Sequence, residues 1–155
     1  SMSLATMPER KSFVQTQFAK SLDYRRVLTA IEGTRRCPFC KENFKYHHQP
    51  ILKRSGGWIA TLNSWPYKGT RIHGLLIAEA HKERFEELTL KDFSAVSHLT
   101  RWLIRRYRIR GGGLLLRFGD PRYTGATVRH LHFQIIEPAR AARSGTVKTV
   151  YFPIG

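Results

Sequence analysis

Cysteine and acidic residues are both scarce in this sequence of 155 residues, and each shortage excludes a class of protein. Two cysteines are too few to build the disulfide framework of a small secreted domain. The 11 Asp and Glu are outnumbered by 27 Lys and Arg, so the formal net charge of +16 excludes an acidic, solvating protein. No apolar run is long enough to span a bilayer, and the first residues do not resemble a secretion signal. We therefore expect a cytoplasmic protein without a membrane partner.

The residues that are present indicate a globular and strongly basic domain. The chain is 41% hydrophobic and 25% charged, a balance typical of proteins that bury a core, and its length suits one domain. The excess of positive charge predicts a polyanionic partner. We expect nucleotide phosphates or a nucleic acid rather than an anionic membrane surface.

Hydrophobic periodicity predicts an α+β fold with an antiparallel sheet. Apolar residues recur with helical spacing over residues 9–32, before Gly33, and again over residues 90–107. Aliphatic or alternating runs predict strands at residues 58–62, 72–78, 114–118, 128–136 and 147–154. The sequence therefore divides into an N-terminal helical extension, residues 1–33, and one domain that covers residues 34–155.

Polar residues alternate along one face of the predicted strand 128–136. His130, His132 and Gln134 share that face because side chains on a strand point the same way at every second residue. Three polar groups on a core-facing strand are costly to bury unless a ligand or a metal satisfies them. The loop at residues 125–127 comes just before and offers backbone amides and a threonine hydroxyl to a phosphate. The alternative is a solvent-facing strand that carries histidines by chance.

Cys37 and Cys40 are spaced like one half of a zinc site. The same spacing is found in redox pairs of the glutaredoxin type, which follow a strand and open a helix. Here the pair follows a predicted helix and precedes His47 and His48, a context that favours zinc. Either of these two histidines would serve a purely local zinc site, and a pair of free structural thiols is the third alternative.

Taken together, these features resemble the histidine-triad superfamily of nucleotide-binding hydrolases and transferases. Its signature, His-φ-His-φ-His-φ-φ with φ apolar, reads His-Leu-His-Phe-Gln-Ile-Ile at residues 130–136. Upstream residues agree with the superfamily in order and spacing, namely Asn63, Pro66, Gly69, His73 and His81. The resemblance runs from about Cys37 to Ile136. It implies a histidine-triad-like, five-stranded antiparallel sheet with one main helix packed on it, in a protein that forms homodimers.

The glutamine at the third position of the signature resembles the branch of galactose-phosphate uridylyltransferases and dinucleoside polyphosphate phosphorylases. That resemblance implies a transferase, phosphorylase or hydrolase that acts at the α-phosphate of a nucleotide, such as a dinucleoside polyphosphate. His132 would be the nucleophile that forms a nucleotidyl-histidine, while Gln134 and Thr127 would contact the phosphate. We expect the remaining nucleotide contacts from Asn63, Gly125 and Arg117.

The same resemblance implies a structural zinc ion, held by Cys37, Cys40, His81 and His130. Four nitrogen and sulfur ligands are the number that a closed structural zinc site takes. Such an ion contributes to folding rather than to the chemistry.

A competing interpretation is a basic nucleic-acid-binding module with little or no catalysis. Arginine-rich stretches at residues 101–110 and 140–148 would engage the phosphates of RNA or DNA. Trp58, Trp65 and Tyr67 provide aromatic rings on which bases can stack. The two interpretations differ in whether His132 is needed for function.

Overall fold

The structure is a computed structural model of the chain and describes residues 37–40 and 49–155. The predicted helix at residues 9–32, the proposed domain boundary after residue 33, and His47 and His48 lie outside the described residues. None of the helices in the described ranges combines the length and the hydropathy that crossing a bilayer requires.

The described residues form one five-stranded antiparallel sheet. Its strands are β1 (Lys53–Ser55), β2 (Trp58–Leu62), β3 (Thr70–Ala78), β4 (Gly113–Leu116) and β5 (His132–Pro138). They are ordered β1-β2-β3-β5-β4, so that β1 and β4 form the edges. A long helix, α1 (Leu90–Tyr107), precedes β4, and a short helix, α2 (Pro121–Thr124), follows it. This arrangement confirms the predicted fold class, an α+β domain with one main helix packed on a five-stranded sheet.

Local sequence signals fix both ends of α1. The Thr89 hydroxyl accepts a hydrogen bond from the Asp92 main-chain N–H at 3.4 Å, and the Asp92 carboxylate accepts one from the Thr89 N–H at 2.8 Å. This reciprocal capping box satisfies N–H groups that would otherwise lack partners. At the other end Arg108 adopts the left-handed conformation, with φ of 50°, and its N–H bonds to the carbonyl of Ile104. The observed helix is the one that the periodicity predicts.

The helix α1 packs on one face of the sheet, and the polar residues of β5 lie on the opposite face. The buried core contains Trp58, Ala60, Leu76, Ala78, Phe133 and Ile135 from the strands, together with Ala95, Val96, Leu99 and Leu103 from α1. On the opposite face, Gln134 pairs with Leu75 and His132 pairs with Ile77 in the register of β5 with β3. The predicted alternation therefore holds over residues 132–135, where Phe133 and Ile135 face α1 while His132 and Gln134 face away from it.

The strand β5 begins later than the sequence pattern predicts. Residues 128–131 alternate like a strand, but Leu131 donates its N–H to the carbonyl of Lys82 at 2.7 Å, beyond the end of β3. The carbonyl of Leu131 still accepts a hydrogen bond from the N–H of Ala78 at 3.4 Å, so the pairing with β3 ends at this residue although the alternating pattern begins before it. His130 consequently sits in the turn before β5 and not on the strand itself.

The fifth strand is also not the predicted one. Residues 147–154 form no strand, and only an isolated bridge joins Val147 to Arg140. Pro153 has no N–H to donate, and its carbonyl instead accepts a hydrogen bond from the Arg117 side chain at 2.8 Å. The place of the fifth strand is taken by β1, which is too short and too polar to give an apolar pattern.

Candidate active site and metal centre

His132 opens β5 on the face of the sheet that α1 does not cover. Its Nδ1 lies 2.8 Å from the carbonyl oxygen of His130, so Nδ1–H donates there and Nε2 carries the lone pair. Burial lowers the pKa of His132 to about 4, although the hydrogen bond to the His130 carbonyl acts in the opposite direction. The ring is therefore neutral at pH 7 and held in one tautomer.

His73 determines how the amide of Gln134 is oriented. The main-chain N–H of Tyr67 donates to His73 Nδ1 at 3.0 Å, so the ring proton lies on Nε2. That Nε2–H donates to Oε1 of Gln134 at 2.7 Å. Burial lowers the pKa of His73 to about 4, which keeps the ring neutral and preserves this tautomer. Gln134 thus keeps its Nε2–H donors for a ligand, since they make no hydrogen bond with the described residues.

Asn63 offers a second amide beside this pair. Its Oδ1 accepts a hydrogen bond from the Trp65 N–H at 2.8 Å, which fixes the orientation of the amide. Its Nδ2 lies 3.3 Å from His73 Nε2. Both nitrogens carry hydrogen in the tautomer described above, so this approach is a contact rather than a hydrogen bond. The amide hydrogens of Asn63 therefore remain for a ligand.

The four predicted zinc ligands come together although they are far apart in sequence. His130 Nδ1 lies 3.3 Å from Cys37 Sγ, 3.7 Å from Cys40 Sγ and 3.2 Å from His81 Nδ1. Cys40 Sγ lies 3.3 Å from His81 Nδ1, and all four ligand atoms fall within 4.8 Å of one another. Zinc bonds of about 2.0–2.3 Å in a tetrahedron place ligand atoms about 3.3–3.8 Å apart. The donor set and the spacing fit a tetrahedral zinc site.

Neighbouring groups turn both imidazoles towards the thiols. His130 Nε2–H donates to the carbonyl of Ala78 at 2.5 Å, which leaves Nδ1 unprotonated for a metal. His81 Nε2 lies 3.6 Å from a carboxylate oxygen of Glu83. Cys37 and Cys40 are not joined by a disulfide. A redox pair requires none of these imidazole contacts, so the arrangement favours a metal over a redox role.

Phe39 connects the metal cluster to His132. Its ring centre lies 5.0 Å from that of His132, edge-on at 89°, and 6.1 Å from that of His130. The same ring packs against the apolar cluster of the open sheet face, which includes Ile59 and Ile77. Because Phe39 lies between the two cysteines in sequence, a metal that binds them would hold this ring against His132.

A cavity of about 570 Å³ opens beside His132. Small-molecule sites commonly have volumes of about 300–1,000 Å³. Its wall carries charged groups of both signs, namely Arg84, Arg117 and Arg129 together with Glu83, Glu87 and Asp120. The Nε atom of Arg129 is buried and has no hydrogen-bond partner among the described residues. The cavity therefore has the size of a nucleotide site, and Arg129 Nε offers a donor to an anionic group there.

Arg117 lines this cavity while its guanidinium is held by other residues. Its Nε donates to the Pro153 carbonyl at 2.8 Å, and its Nη2 donates to the Tyr67 hydroxyl at 3.0 Å. The guanidinium carbon lies 4.0 Å from the centre of the Phe152 ring. The segment at residues 152–153 thus fixes the position of Arg117 at the cavity wall.

Thr127 and Gly125 lie in the loop between α2 and β5. Gly125 ends α2 with φ of 66°, and a Cβ there would lie 2.6 Å from the carbonyl oxygen of Gly155. Thr127 is half-buried in the bend that follows. Neither residue lines the cavity, so their contacts with a nucleotide stay predictions.

Sequence reasoning gave no role to Phe39, His73 or Arg129. His73 is among the residues that agree with the superfamily, but its contact with Gln134 depends on the pairing of β3 with β5. Arg129 directly precedes the signature, and Phe39 lies inside the Cys-x-x-Cys motif. Proximity in sequence to a motif was therefore the signal that could have indicated two of the three.

Known proteins resemble this chain in structure rather than in sequence. No protein-family model matches the sequence, and no curated protein matches it. The structure is similar to the histidine triad nucleotide-binding protein from Candida albicans, at 18% identity and a TM-score of 0.56, covering 77% of this chain and 85% of that one. It is also similar to a zinc-bound histidine triad family protein from Mycobacterium smegmatis, at 16% identity and a TM-score of 0.53, covering 71% and 79%.

A third similar structure is a HIT family hydrolase from Clostridium thermocellum, at 20% identity and a TM-score of 0.51. It covers 67% of this chain, and the match takes in 91% of that one. The chain therefore has the fold that these histidine-triad proteins share.

Proposed function

We propose that this protein is a nucleotide-processing enzyme that forms a covalent nucleotidyl-histidine at His132. The observation that carries the proposal is the fixed tautomer of that ring, whose Nδ1 lies 2.8 Å from the His130 carbonyl. Its Nε2 lone pair belongs to a side chain that lines a cavity of nucleotide size, whose wall includes Arg117 and Arg129. Neutral imidazole is an effective nucleophile at pH 7.

The first step is a displacement at the α-phosphorus. Nε2 of His132 forms the P–N bond while the P–O bond to the leaving phosphate breaks, and the leaving group takes the bonding electron pair. The ring then carries a positive charge, which the hydrogen bond from Nδ1–H to the His130 carbonyl stabilises. In the second step an acceptor oxygen forms a bond to phosphorus, the P–N bond breaks, and the ring becomes neutral again.

Gln134 supplies hydrogen bonds but no titratable proton. Its Nε2–H donors, oriented by His73, would bind a non-bridging phosphate oxygen. An amide cannot protonate a leaving group at neutral pH, so a leaving group that is stable as an anion is favoured. The amide also cannot act as the base that an attacking water molecule needs. Inorganic phosphate attacks as an anion and needs no such base. We therefore propose a dinucleoside polyphosphate as substrate, with transfer to phosphate at least as rapid as hydrolysis.

The other predicted contacts complete the substrate site. Asn63 has an amide free to bind a ribose hydroxyl. Arg117 lines the cavity and would bind a phosphate, and Thr127 and Gly125 are assigned to the α-phosphate by their place before the signature. The names of the Candida albicans nucleotide-binding protein and the Clostridium thermocellum hydrolase support a nucleotide substrate.

We assign a structural zinc ion to Cys37, Cys40, His81 and His130. An ion bound there would stabilise the fold and would take no part in the reaction. It would join the Cys37–Cys40 turn to the end of β3 and to the approach to β5, and so keep Phe39 against His132. The zinc-bound protein from Mycobacterium smegmatis supports this assignment.

The homodimer remains part of the proposal. β4 forms an edge of the sheet, and Leu114 on that strand is 46% exposed. No other strand of the described residues pairs with this edge, and an edge with an exposed apolar residue is suited to a second copy. The molar mass in solution, measured by light scattering, tests this point separately from the chemistry.

Turnover of dinucleoside polyphosphates, with and without inorganic phosphate, tests the function. His132→Ala should lower turnover at least about a thousandfold, because the nucleophile is lost. His98→Ala is the matched control, since His98 is exposed on α1, on the opposite face of the sheet. Unchanged turnover in His132→Ala would contradict the proposal.

A further inference from the structure

A second and larger concavity lies at the other end of the sheet from His132. It has a volume of about 810 Å³ and is lined by Arg71, Arg108, Arg110 and Arg140, with Tyr107 beside them. We call it the arginine cleft. β5 runs from His132 to Pro138, and Pro138 also lines the cleft. At about 3.3 Å per residue the two sites are about 20 Å apart.

The arginine cleft is where the two arginine-rich stretches of the sequence meet. Arg108 and Arg110 follow the end of α1, whereas Arg140 follows β5. A bridge between Arg140 and Val147 closes the second stretch into a loop, and Val147 lines the cleft too. Residues that are about thirty positions apart along the chain thus form one cationic wall.

The single acidic group of the cleft is already engaged. Among the acidic residues of the described part of the chain, only Glu137 lines it. Its carboxylate accepts hydrogen bonds from Arg71 Nε at 2.6 Å and from the Arg110 main-chain N–H at 3.1 Å. The side chains of Arg108 and Arg110 are exposed and form no ion pair with the described residues. The cleft therefore keeps uncompensated positive charge.

Glycine leaves one wall of the cleft without side chains. Gly111 and Gly112 line it, directly before β4. A Cβ on Gly112 would lie 2.0 Å from the carbonyl oxygen of Ile136, so glycine is needed for the close approach of this segment to β5. Gly111 is exposed, and a Cβ there would meet no other atom within 4 Å.

We propose that the arginine cleft binds the sugar-phosphate backbone of a nucleic-acid strand. Guanidinium groups bind phosphate in a bidentate way, and all four cations of the cleft are arginine. A concave site admits an extended polyanion, whereas a bilayer surface would meet only the rim. Membrane-binding surfaces also combine basic residues with protruding large apolar ones, and Tyr107 is instead half-buried against the core. The proposal does not depend on the chemistry at His132.

A pair of charge-matched variants tests the proposal. The test variant carries Arg108→Asn and Arg110→Gln, with Asn chosen because it tolerates the left-handed conformation at residue 108. The control carries Lys53→Gln and Lys91→Gln. Both lysines are exposed and lie outside the cleft, and their substitution removes the same amount of charge. Binding of a short fluorescein-labelled oligonucleotide is measured by anisotropy across a series of salt concentrations, with the thermal unfolding midpoint as a check on folding.

We expect the test variant to raise the Kd about tenfold at low salt and to reduce the slope of log K against log salt by about 1.4, the loss of two phosphate contacts. The control should change the Kd less than about twofold. Equal losses in the two variants would overturn the proposal, because they would show a general charge effect. Tighter binding to phosphatidylserine vesicles than to the oligonucleotide, or equal competition by inorganic tripolyphosphate per phosphate, would overturn it as well. If no turnover is found at His132, this binding test still stands.

Discussion

The two ends of the sheet differ in how many carboxylates lie beside their cationic groups, and α1 runs between them. We call the end where β3 finishes and β5 begins the metal end, and the end with the arginine cleft the arginine end. Six of the seven acidic residues in the described ranges lie near the metal end, namely Glu79, Glu83, Glu86, Glu87, Asp92 and Asp120. The seventh, Glu137, lies at the arginine end.

The two ends of α1 show the same division. The N-terminus of a helix favours anions and its C-terminus favours cations, and Asp92 and Arg105 occupy the corresponding turns. The four arginines of the cleft lie about 20 Å from His132, so the proposed nucleotide chemistry makes no use of their charge. Chemistry and polyanion binding are assigned to separate ends, so each can be removed without the other.

The largest expected effect comes from breaking the metal centre. Cys40→Ser should reduce the zinc content from about one ion per chain to almost none and lower the unfolding midpoint by about 10 °C, since a structural zinc site stabilises the fold. Elemental analysis and thermal unfolding check both. His98→Ala should keep the zinc. Full retention of zinc by Cys40→Ser would remove Cys40 from the site.

A substitution at Gln134 tests the role that we assign to its amide at the metal end. Gln134→Glu keeps an acceptor for the His73 N–H, but it replaces the amide donor with a negative charge. We expect kcat to fall about a hundredfold, as when one donor to a transition-state oxygen is removed, with a smaller change in KM. Ser94→Glu adds the same charge on an exposed position of α1 and should have little effect. Steady-state kinetics would refute the role of Gln134 if both variants behaved alike.

The smallest expected effect concerns Asp92, whose carboxylate ties α1 to the metal end. Burial raises its pKa, but hydrogen bonds from Trp58 at 2.9 Å, from Thr89 and from Lys82 at 2.9 Å outweigh burial and hold the pKa well below its usual value. A carboxyl whose folded pKa is lowered contributes stability above its unfolded pKa, and that stability is lost as the pH falls.

Asp92→Asn should therefore lower the free energy of unfolding by about 2 kcal/mol at pH 7. The difference from the unsubstituted protein should shrink as the pH falls below about 4, where the carboxyl of the unfolded chain becomes protonated while that of the folded protein is still ionised. Urea unfolding at several pH values measures it, with the exposed Glu86→Gln as the control. A difference that stays constant with pH would show that Asp92 acts through packing and not through its charge.

The sequence predicts elements whose boundaries are set by local bonds. The range of α1 follows from Thr89 and Asp92, three residues apart, whose side chains and backbones bond to each other. The start of β5 depends instead on a bond between Leu131 and Lys82 that alternation cannot reveal. β1 has three mostly polar residues and no periodic pattern, and only its pairing with β2 defines it.

The candidate site divides in the same way. The resemblance to histidine-triad proteins named the four residues of the metal cluster, and the structure brings them together. The orientation of Gln134 depends on a Tyr67 main-chain N–H that selects the tautomer of His73, and such a bond exists only after folding. The arginine cleft likewise forms only when the loop after β5 meets the end of α1.

The most direct test of the account is the intact mass of the protein, recorded at neutral pH during turnover of a dinucleoside polyphosphate. The account predicts a mass increase of one nucleoside monophosphate unit, present in His98→Ala and in the arginine-cleft variant and absent in His132→Ala. The same adduct in His132→Ala, or turnover without any adduct, would contradict the central claim that His132 forms the covalent bond.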